Sequence, residues 1–384
     1  PIRTYRLGSL RVTYQPKGVV GVIATWNFPV YLSIGPLATA LAAGNRVMIK
    51  MPETTPRTNA TLRQMLGEVF ADDHVALFGE EQEDPNAFTA LPFNHIVFTG
   101  SPRVGSLVME QAARNLTPVT LELGGKSPAI VLRDYSVQEA ARRIAHGKAT
   151  NGGQICVAPD YALVPREHIG AFVEAVQQTF SGLYGMHVQD NADYTAVSTD
   201  RHAARIRSLL DDAREKGATV VSCGDSDRSR RMALQIVTGC TPDMQLMQQE
   251  IFGPVLPVVA YDTLDDAIEI VRSRPRPLAL YCFSHDAAAR ETLLTRTHSG
   301  GVTINDWGWH AANHDAPFGG TGQSGIGNWH GEEGFRELSH ARTVFKRHRF
   351  FPIDLFYPPY GRRLQAWALK FNLGTGDASV RRPF

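Results

Sequence analysis

The 384-residue chain has only four cysteines, Cys156, Cys223, Cys240 and Cys282, with no CxxC pair and no histidines beside them at ligand spacing. That disfavours a disulfide framework and a zinc site, and a reducing compartment, the cytoplasm, is the expected home. No long apolar run or signal-like stretch appears between Pro1 and Phe384, so no integral membrane segment is expected within these residues. Charge of one sign is missing too: the net charge is +1 with basic residues dispersed, which leaves no footprint for nucleic acid or an anionic membrane. His310 and His314 are four apart, but Ala311 stands where an HExxH zinc helix needs glutamate, so no metal is expected. What remains is a chain with 43% hydrophobic and 20% charged residues, long enough for two or three domains, whose default partner is a small molecule.

From Gly18 onward short apolar runs alternate with amphipathic stretches, the mark of parallel strands joined by helical crossovers in an α/β fold. Strands are expected at Val19 to Ile23, Arg46 to Lys50, Val75 to Phe78, His95 to Phe98 and Val119 to Leu123. Helices are expected over Pro29 to Ala43, over Thr58 to Phe70 and from Pro102, behind a Ser101 cap. Gly124-Gly125 reads as a hinge before a second unit, which repeats the alternation from Ser127. The segment Tyr5 to Tyr14 alternates around Gly8-Ser9 like a hairpin, and Ala341 to Lys346 reads as a further strand. Both are candidates for pairing with another subunit. Beyond Phe350 a proline- and aromatic-rich run turns amphipathic and reads as a packing tail.

Several residues can do chemistry, each with a plainer alternative. Cys156 follows a glycine pair that can turn its amide toward a bound oxygen; a free cysteine is equally a small buried hydrophobe. Glu122, between Leu121 and Leu123, sits where desolvation makes a carboxylate a better base, or it forms an ion pair with Lys126. Asn27 can donate to an oxyanion, and capping the following helix is the stronger local reading. Lys50 and Glu53 leave the second strand where nucleotides bind in such sheets, although loop charges are more often only solvated. The Thr99 to Gly105 turn resembles a phosphate-binding strand-turn-helix without the full GxGxxG spacing. Glu250-Ile251-Phe252 is either a site element or an edge turn with a buried phenylalanine, and Trp307 and Trp309 either line an aromatic pocket or merely pack.

Taken in order, WNFP at Trp26, KMPE at Lys50, FTGSPRVG at Phe98, LELGGKSP at Leu121, GQIC at Gly153, EIFGP at Glu250 and PFGG at Pro317 resemble the NAD(P)-dependent aldehyde dehydrogenase family. GGVTIND at Gly300, HAANHDAPFGG at His310, SGIGNWHGEEGF at Ser324 and the YPPY of the tail are most similar to the class 3 branch and its coniferyl aldehyde dehydrogenase relatives. The resemblance implies the aldehyde dehydrogenase fold: a Rossmann-like cofactor domain (residues 16–124), an α/β catalytic domain (125–322) and a return segment (323–339). Small β bridging strands (1–15 and 340–350), which build a homodimer, and a C-terminal packing tail (351–384) complete it.

The resemblance also implies oxidation of an aromatic or medium-chain aldehyde to the acid through a cysteine thioester that glutamate-activated water hydrolyses. Cys156 is then the nucleophile, Glu122 the base, and Asn27 with the Cys156 amide the oxyanion site. NAD, with NADP also admitted, is held by Trp26, Lys50, Glu53, Gly100, Ser101, Gly105, Leu123, Gly124, Glu250 and Phe252. Two points stand out: the resemblance implies an N-terminal helical segment of the cofactor domain before the position of Pro1, and the usual KPSE is KMPE here. A coenzyme A-acylating enzyme and a catalytically silent homologue are the rival readings.

Overall fold

The structure is a computed structural model and describes residues 8–81, 85–225, 229–349, 354 and 357–373. In chain order its strands begin with β1 (Gly8–Pro16), β2 (Val19–Ile23), β3 (Arg46–Lys50), β4 (Val75–Phe78), β5 (His95–Thr99) and β6 (Val119–Glu122). Next come β7 (Pro128–Val131), β8 (Tyr161–Pro165), β9 (Thr219–Ser222), β10 (Gln235–Thr238) and β11 (Val255–Tyr261). The last are β12 (Ala279–Phe283), β13 (Gly301–Ile304), β14 (Gly325–Ile326) and β15 (Ser339–Arg347).

Two compact units divide the chain, residues 17–338 and residues 1–16 with 339–384. The larger holds two sheets. One has the order β14-β6-β5-β2-β3-β4, with β2 to β6 parallel and β14 antiparallel against β6. The other has the order β13-β12-β7-β8-β11-β10-β9, with only β9 antiparallel. Strands buried on both faces explain the unbroken apolar runs. Val20, Val22 and Ile49 share one apolar cluster with Ala129, Val131 and Ala162. The intervening Ile130 and Leu163 face a second cluster, and Ile96, Phe98 and Leu121 a third.

Strand order decides where a ligand can sit. In the six-stranded sheet the chain runs outward through β2, β3 and β4, then returns to the other side of β2 as β5 and β6. The loops leaving β2 and β5 therefore diverge and open a crevice at the carboxyl edge. The corresponding point of the other sheet, between β7 and β12, is filled. There Asp134 accepts from Ser284 Oγ at 2.9 Å and from the amides of His285 and Asp286 at 2.6 and 2.9 Å.

In the smaller unit β1 pairs antiparallel with β15 from Gly8 opposite Arg347 to Pro16 opposite Ser339. The expected hairpin around Gly8-Ser9 is thereby corrected. The chain continues through both residues as one strand, whose hydrogen-bonding partner comes from the far end of the same chain; Tyr5 to Leu7 lie outside the described residues. The two segments expected to reach for another subunit thus pair with each other. Of the tail, residues 350–353, 355, 356 and 374–384 lie outside the described residues, and Arg363–Leu373 is a helix with Leu364 and Trp367 exposed. Among the described residues no helix is long and apolar enough to cross a membrane.

Candidate active site

The first wall of the crevice is the turn after β2. Trp26 and Asn27 follow the strand, and Phe28, not Asn27, is the N-cap residue of the Pro29–Ala42 helix, with no side-chain cap bond. Pro29 at the first helical position needs no amide partner, which removes part of the demand for a cap. Asn27 is free to turn elsewhere, and its Nδ2 donates to the carbonyl of Gln154 at 3.1 Å while its Oδ1 is buried without a partner.

The second wall follows β5 and β6. Ser101 caps the Pro102–Ala113 helix, accepting from the Val104 amide at 3.4 Å. A β-carbon on Gly105 would come within 2.8 Å of Leu123 Cδ2, so the glycine lets this helix lie against the end of β6. Glu122, the last residue of β6, is 3% exposed with neither carboxylate oxygen partnered. Burial raises its pKa well above the ordinary carboxylate range. The ion pair with Lys126 does not form. Lys126 is paired with Asp160 and donates to the carbonyls of Leu246 and Gln249 at 2.6 and 3.2 Å, which satisfies its buried ammonium away from Glu122.

The thiol is delivered by the Val137–Ala149 helix, which Ser136 caps. Asn151, Gly152 and Gly153 then take φ of 50°, 60° and 73°, a run of left-handed residues that reverses the chain within one turn. Gln154 pins the loop on its far side: its Nε2 donates to the carbonyls of Asn151 and Ala196 at 2.9 and 3.1 Å, and its Oε1 accepts from the Ser198 amide at 2.8 Å. Cys156 emerges partly exposed. Burial pushes its thiol up to about 12, with Glu250 and Glu122 adding to the rise, so the neutral thiol is favoured.

Opposite lies Glu250-Ile251-Phe252. Phe252 is not a buried edge-turn residue: φ of 52° turns its ring into the crevice edge-on to Trp26 at 5.7 Å. Glu250 is pushed up to about 8 by burial and by Asp160, against the opposing Gly125 amide and the Lys148 and Lys126 charges. Gly124 is bare because a β-carbon there would strike the Glu250 carboxylate.

Two cavities converge on this point. One, about 940 Å³, is lined by Phe28, Tyr31, Trp307, Trp309 and Phe318 among others. The other, about 1050 Å³, is the crevice of the six-stranded sheet. Their linings share Asn27 and Cys156. The crevice gathers Trp26, Asn27, Gly100, Ser101, Glu122, Leu123, Gly124, Cys156, Glu250 and Phe252. Lys50 and Glu53 stand apart from that lining, at the end of β3 and hydrogen-bonded to each other at 2.5 Å; Gly105 packs behind it.

Sequence reasoning missed the residues that hold the site. Arg205 donates to the carbonyls of Ile251 and Glu250 at 2.9 and 2.6 Å, and His202 donates to that of Phe252 at 2.7 Å. Asp160 accepts from the Ile251 amide at 3.1 Å and pairs with Lys148 at 3.5 Å as well as with Lys126. A charge inside the apolar run from Ile155 to Val164 was the available signal for Asp160. Nothing local marks His202 or Arg205, which lie on an ordinary amphipathic helix, Asp200–Glu215.

The crevice and the apolar cavity meet at Asn27 and the Cys156 thiol. The aldehyde dehydrogenase family model matches residues 6–344, and the chain belongs to that family and is an aldehyde-oxidising enzyme. It is 50% identical over 366 residues to a probable coniferyl aldehyde dehydrogenase of Pseudomonas aeruginosa, covering 95% of this chain and 77% of that one. It is 44% identical over 341 residues to a coniferyl aldehyde dehydrogenase of Pseudomonas sp. HR199, covering 87% and 70%. Among solved structures, the substrate-bound state of Staphylococcus aureus AldH superposes with a TM-score of 0.88 at 36% identity, covering 95% of this chain and 79% of that one. A Mycobacterium tuberculosis aldehyde dehydrogenase complexed with NAD+ gives 0.80 at 29% identity, covering 88% and 72%.

Proposed function

We propose that the chain oxidises a bulky, largely apolar aldehyde, aromatic such as coniferyl aldehyde or medium-chain aliphatic, to its carboxylic acid with NAD, and that it also accepts NADP. The observation that carries this reading is that Asn27 and Cys156 belong to both cavities while Glu122 lines the crevice with an unpaired carboxyl group. The crevice fits a dinucleotide. It lies at the strand-order reversal, includes the N-terminus of the Pro102–Ala113 helix for phosphate, and keeps the Glu250 carboxylate against a bare Gly124.

Trp26, Gly100, Ser101, Leu123, Gly124, Glu250 and Phe252 would hold the cofactor, with Lys50 and Glu53 at the adenosine end and Gly105 providing close packing. Glu53 would repel a 2′-phosphate, and Arg103 in the lining offsets that. When bound, the cofactor supplies an oxidised nicotinamide that accepts the hydride leaving the substrate carbon.

The residues of the chain do the rest. Cys156 gives its thiol proton up to solvent and its sulfur adds to the carbonyl carbon, moving the carbonyl electron pair onto oxygen. That oxygen receives the second N–H of Asn27 and the Cys156 amide. Once hydride has left, the carbon is a thioester on Cys156. Glu122 then deprotonates water, whose oxygen adds to the carbon; the carbon–sulfur bond breaks, the sulfur leaves as thiolate and takes the proton back from Glu122, and the acid departs. The exposed apolar side chains of the β1–β15 ribbon, Leu10 and Val12 at 59% and 55%, support a homodimer.

The test is a panel of coniferyl, benzyl and straight-chain aldehydes with NAD or NADP. Reduced cofactor and free acid are expected from wild type and not from Cys156→Ala. Turnover only with added coenzyme A would select the acylating reading, and no turnover with any aldehyde the silent one.

A further inference from the structure

The apolar cavity has one charged wall. Arg142 and His146 line it, four residues apart on one face of the Val137–Ala149 helix, and Thr150, the C-cap residue of that helix, lines it further on toward the Cys156 loop. From Arg142 to Thr150 the wall runs about 12 Å, with exposed Arg142 at the end farther along the chain from Cys156.

The charges along this wall are not balanced. Asp306, the carboxylate in the lining, is spoken for: it accepts from the Trp309 indole at 2.9 Å and the Trp307 amide at 2.9 Å, and pairs with Arg143 at 3.4 Å. Arg143 also meets Glu139 at 3.5 Å. Arg142 is exposed and, among the described residues, makes no ion pair or hydrogen bond. His146 Nδ1 receives the Trp307 indole N–H at 3.1 Å, and because indole only donates, the imidazole carries its proton on Nε2. One turn apart, the wall offers a guanidinium and an N–H donor, and the one carboxylate of the lining, Asp306, is already engaged.

We propose that Arg142, assisted by His146, forms a subsite for an anionic group at the far end of the aldehyde, so that carboxylate-terminated aldehydes are preferred over neutral ones of equal size. This rests on the apolar cavity being the aldehyde site. The carboxylate accepts from the guanidinium and the imidazole N–H while the apolar body lies along Trp307 and Phe318.

The experiment compares trans-4-formylcinnamate with its methyl ester, which carries the same aldehyde without the charge. Binding is monitored by quenching of tryptophan fluorescence, since Trp307 and Trp309 line the cavity, and turnover of the ester is recorded separately. Wild type is expected to bind the acid about fivefold more tightly than the ester. The preference should fall to about one in Arg142→Gln, persist in part in Arg142→Lys, and shrink in wild type at about 0.5 M salt. Equal binding of acid and ester by wild type, or a preference that survives Arg142→Gln, overturns the subsite. Failure of ester turnover alone overturns only the oxidation reading, because binding is measured independently.

Discussion

Asn27 donates its side-chain amide to the backbone carbonyl of Gln154 at 3.1 Å, tying the turn after β2 to the residue two before Cys156. Asn151 returns the contact, donating to the carbonyls of Asn27 and Gln154 at 3.4 and 3.3 Å. One Asn27 N–H is thus used to hold the loop, and in the proposed mechanism the other meets the substrate oxygen. Asn27→Ala is therefore expected to lower kcat by roughly 10²- to 10³-fold with a much smaller change in KM, as steady-state kinetics will read.

Glu250 gives a pH-dependent stability of definite sign. A carboxyl group whose folded pKa is raised stabilises the fold fully below its unfolded value, and that contribution is lost as pH rises through the folded value. For Glu250 the window runs from 4.5 to about 8. The Tm of Glu250→Gln relative to wild type should therefore rise between about pH 5 and about pH 8 in scanning calorimetry. A flat or falling difference would contradict the burial of this carboxyl group.

Gly153 has φ of 73°, and a β-carbon there would strike the carbonyl of Gly253, which is backbone and cannot swing away. Gly153→Ala should cost about 1–3 kcal/mol in urea unfolding and lower activity by displacing the Cys156 loop. Gly170, in the Ile169–Tyr184 helix with nothing within 4 Å of an added β-carbon, is the control. Gly170→Ala should be neutral or stabilising by up to about 1 kcal/mol.

Asp160 lies between two buried lysines, Lys126 and Lys148, and also accepts from the Ile251 amide. Asp160→Asn removes the carboxylate that pairs directly with both buried ammonium groups. A loss of about 3–5 kcal/mol is expected in denaturant unfolding. A loss below about 1 kcal/mol would mean that the lysines find water instead.

The parallel strands were legible because each is a short apolar run between turn signals: β2, β3 and β4 fall at the residues that pattern indicates. Glu122 and Cys156 stood out because reactive groups interrupt apolar or glycine-rich segments. Which partner each group takes was not legible. Lys126 is four residues from Glu122 but pairs with Asp160, thirty-four residues further on, because the chain turns away after β6. The β1–β15 ribbon was misread for the same reason: alternation identifies a strand and says nothing of which distant strand pairs with it. His202 and Arg205 act through backbone carbonyls of a segment 45 to 50 residues away, a contact with no local sequence signature.

The most direct test of Cys156 as nucleophile and Glu122 as the water-activating base is acid quenching of Glu122→Gln mixed with aldehyde and NAD, with mass spectrometry of the Cys156 peptide as the readout. The expected result is an adduct on Cys156 equal to the aldehyde less two hydrogens, accumulating in the variant and not in wild type. Continued acid production by Cys156→Ala, with no adduct on Cys156 in Glu122→Gln, would contradict the account.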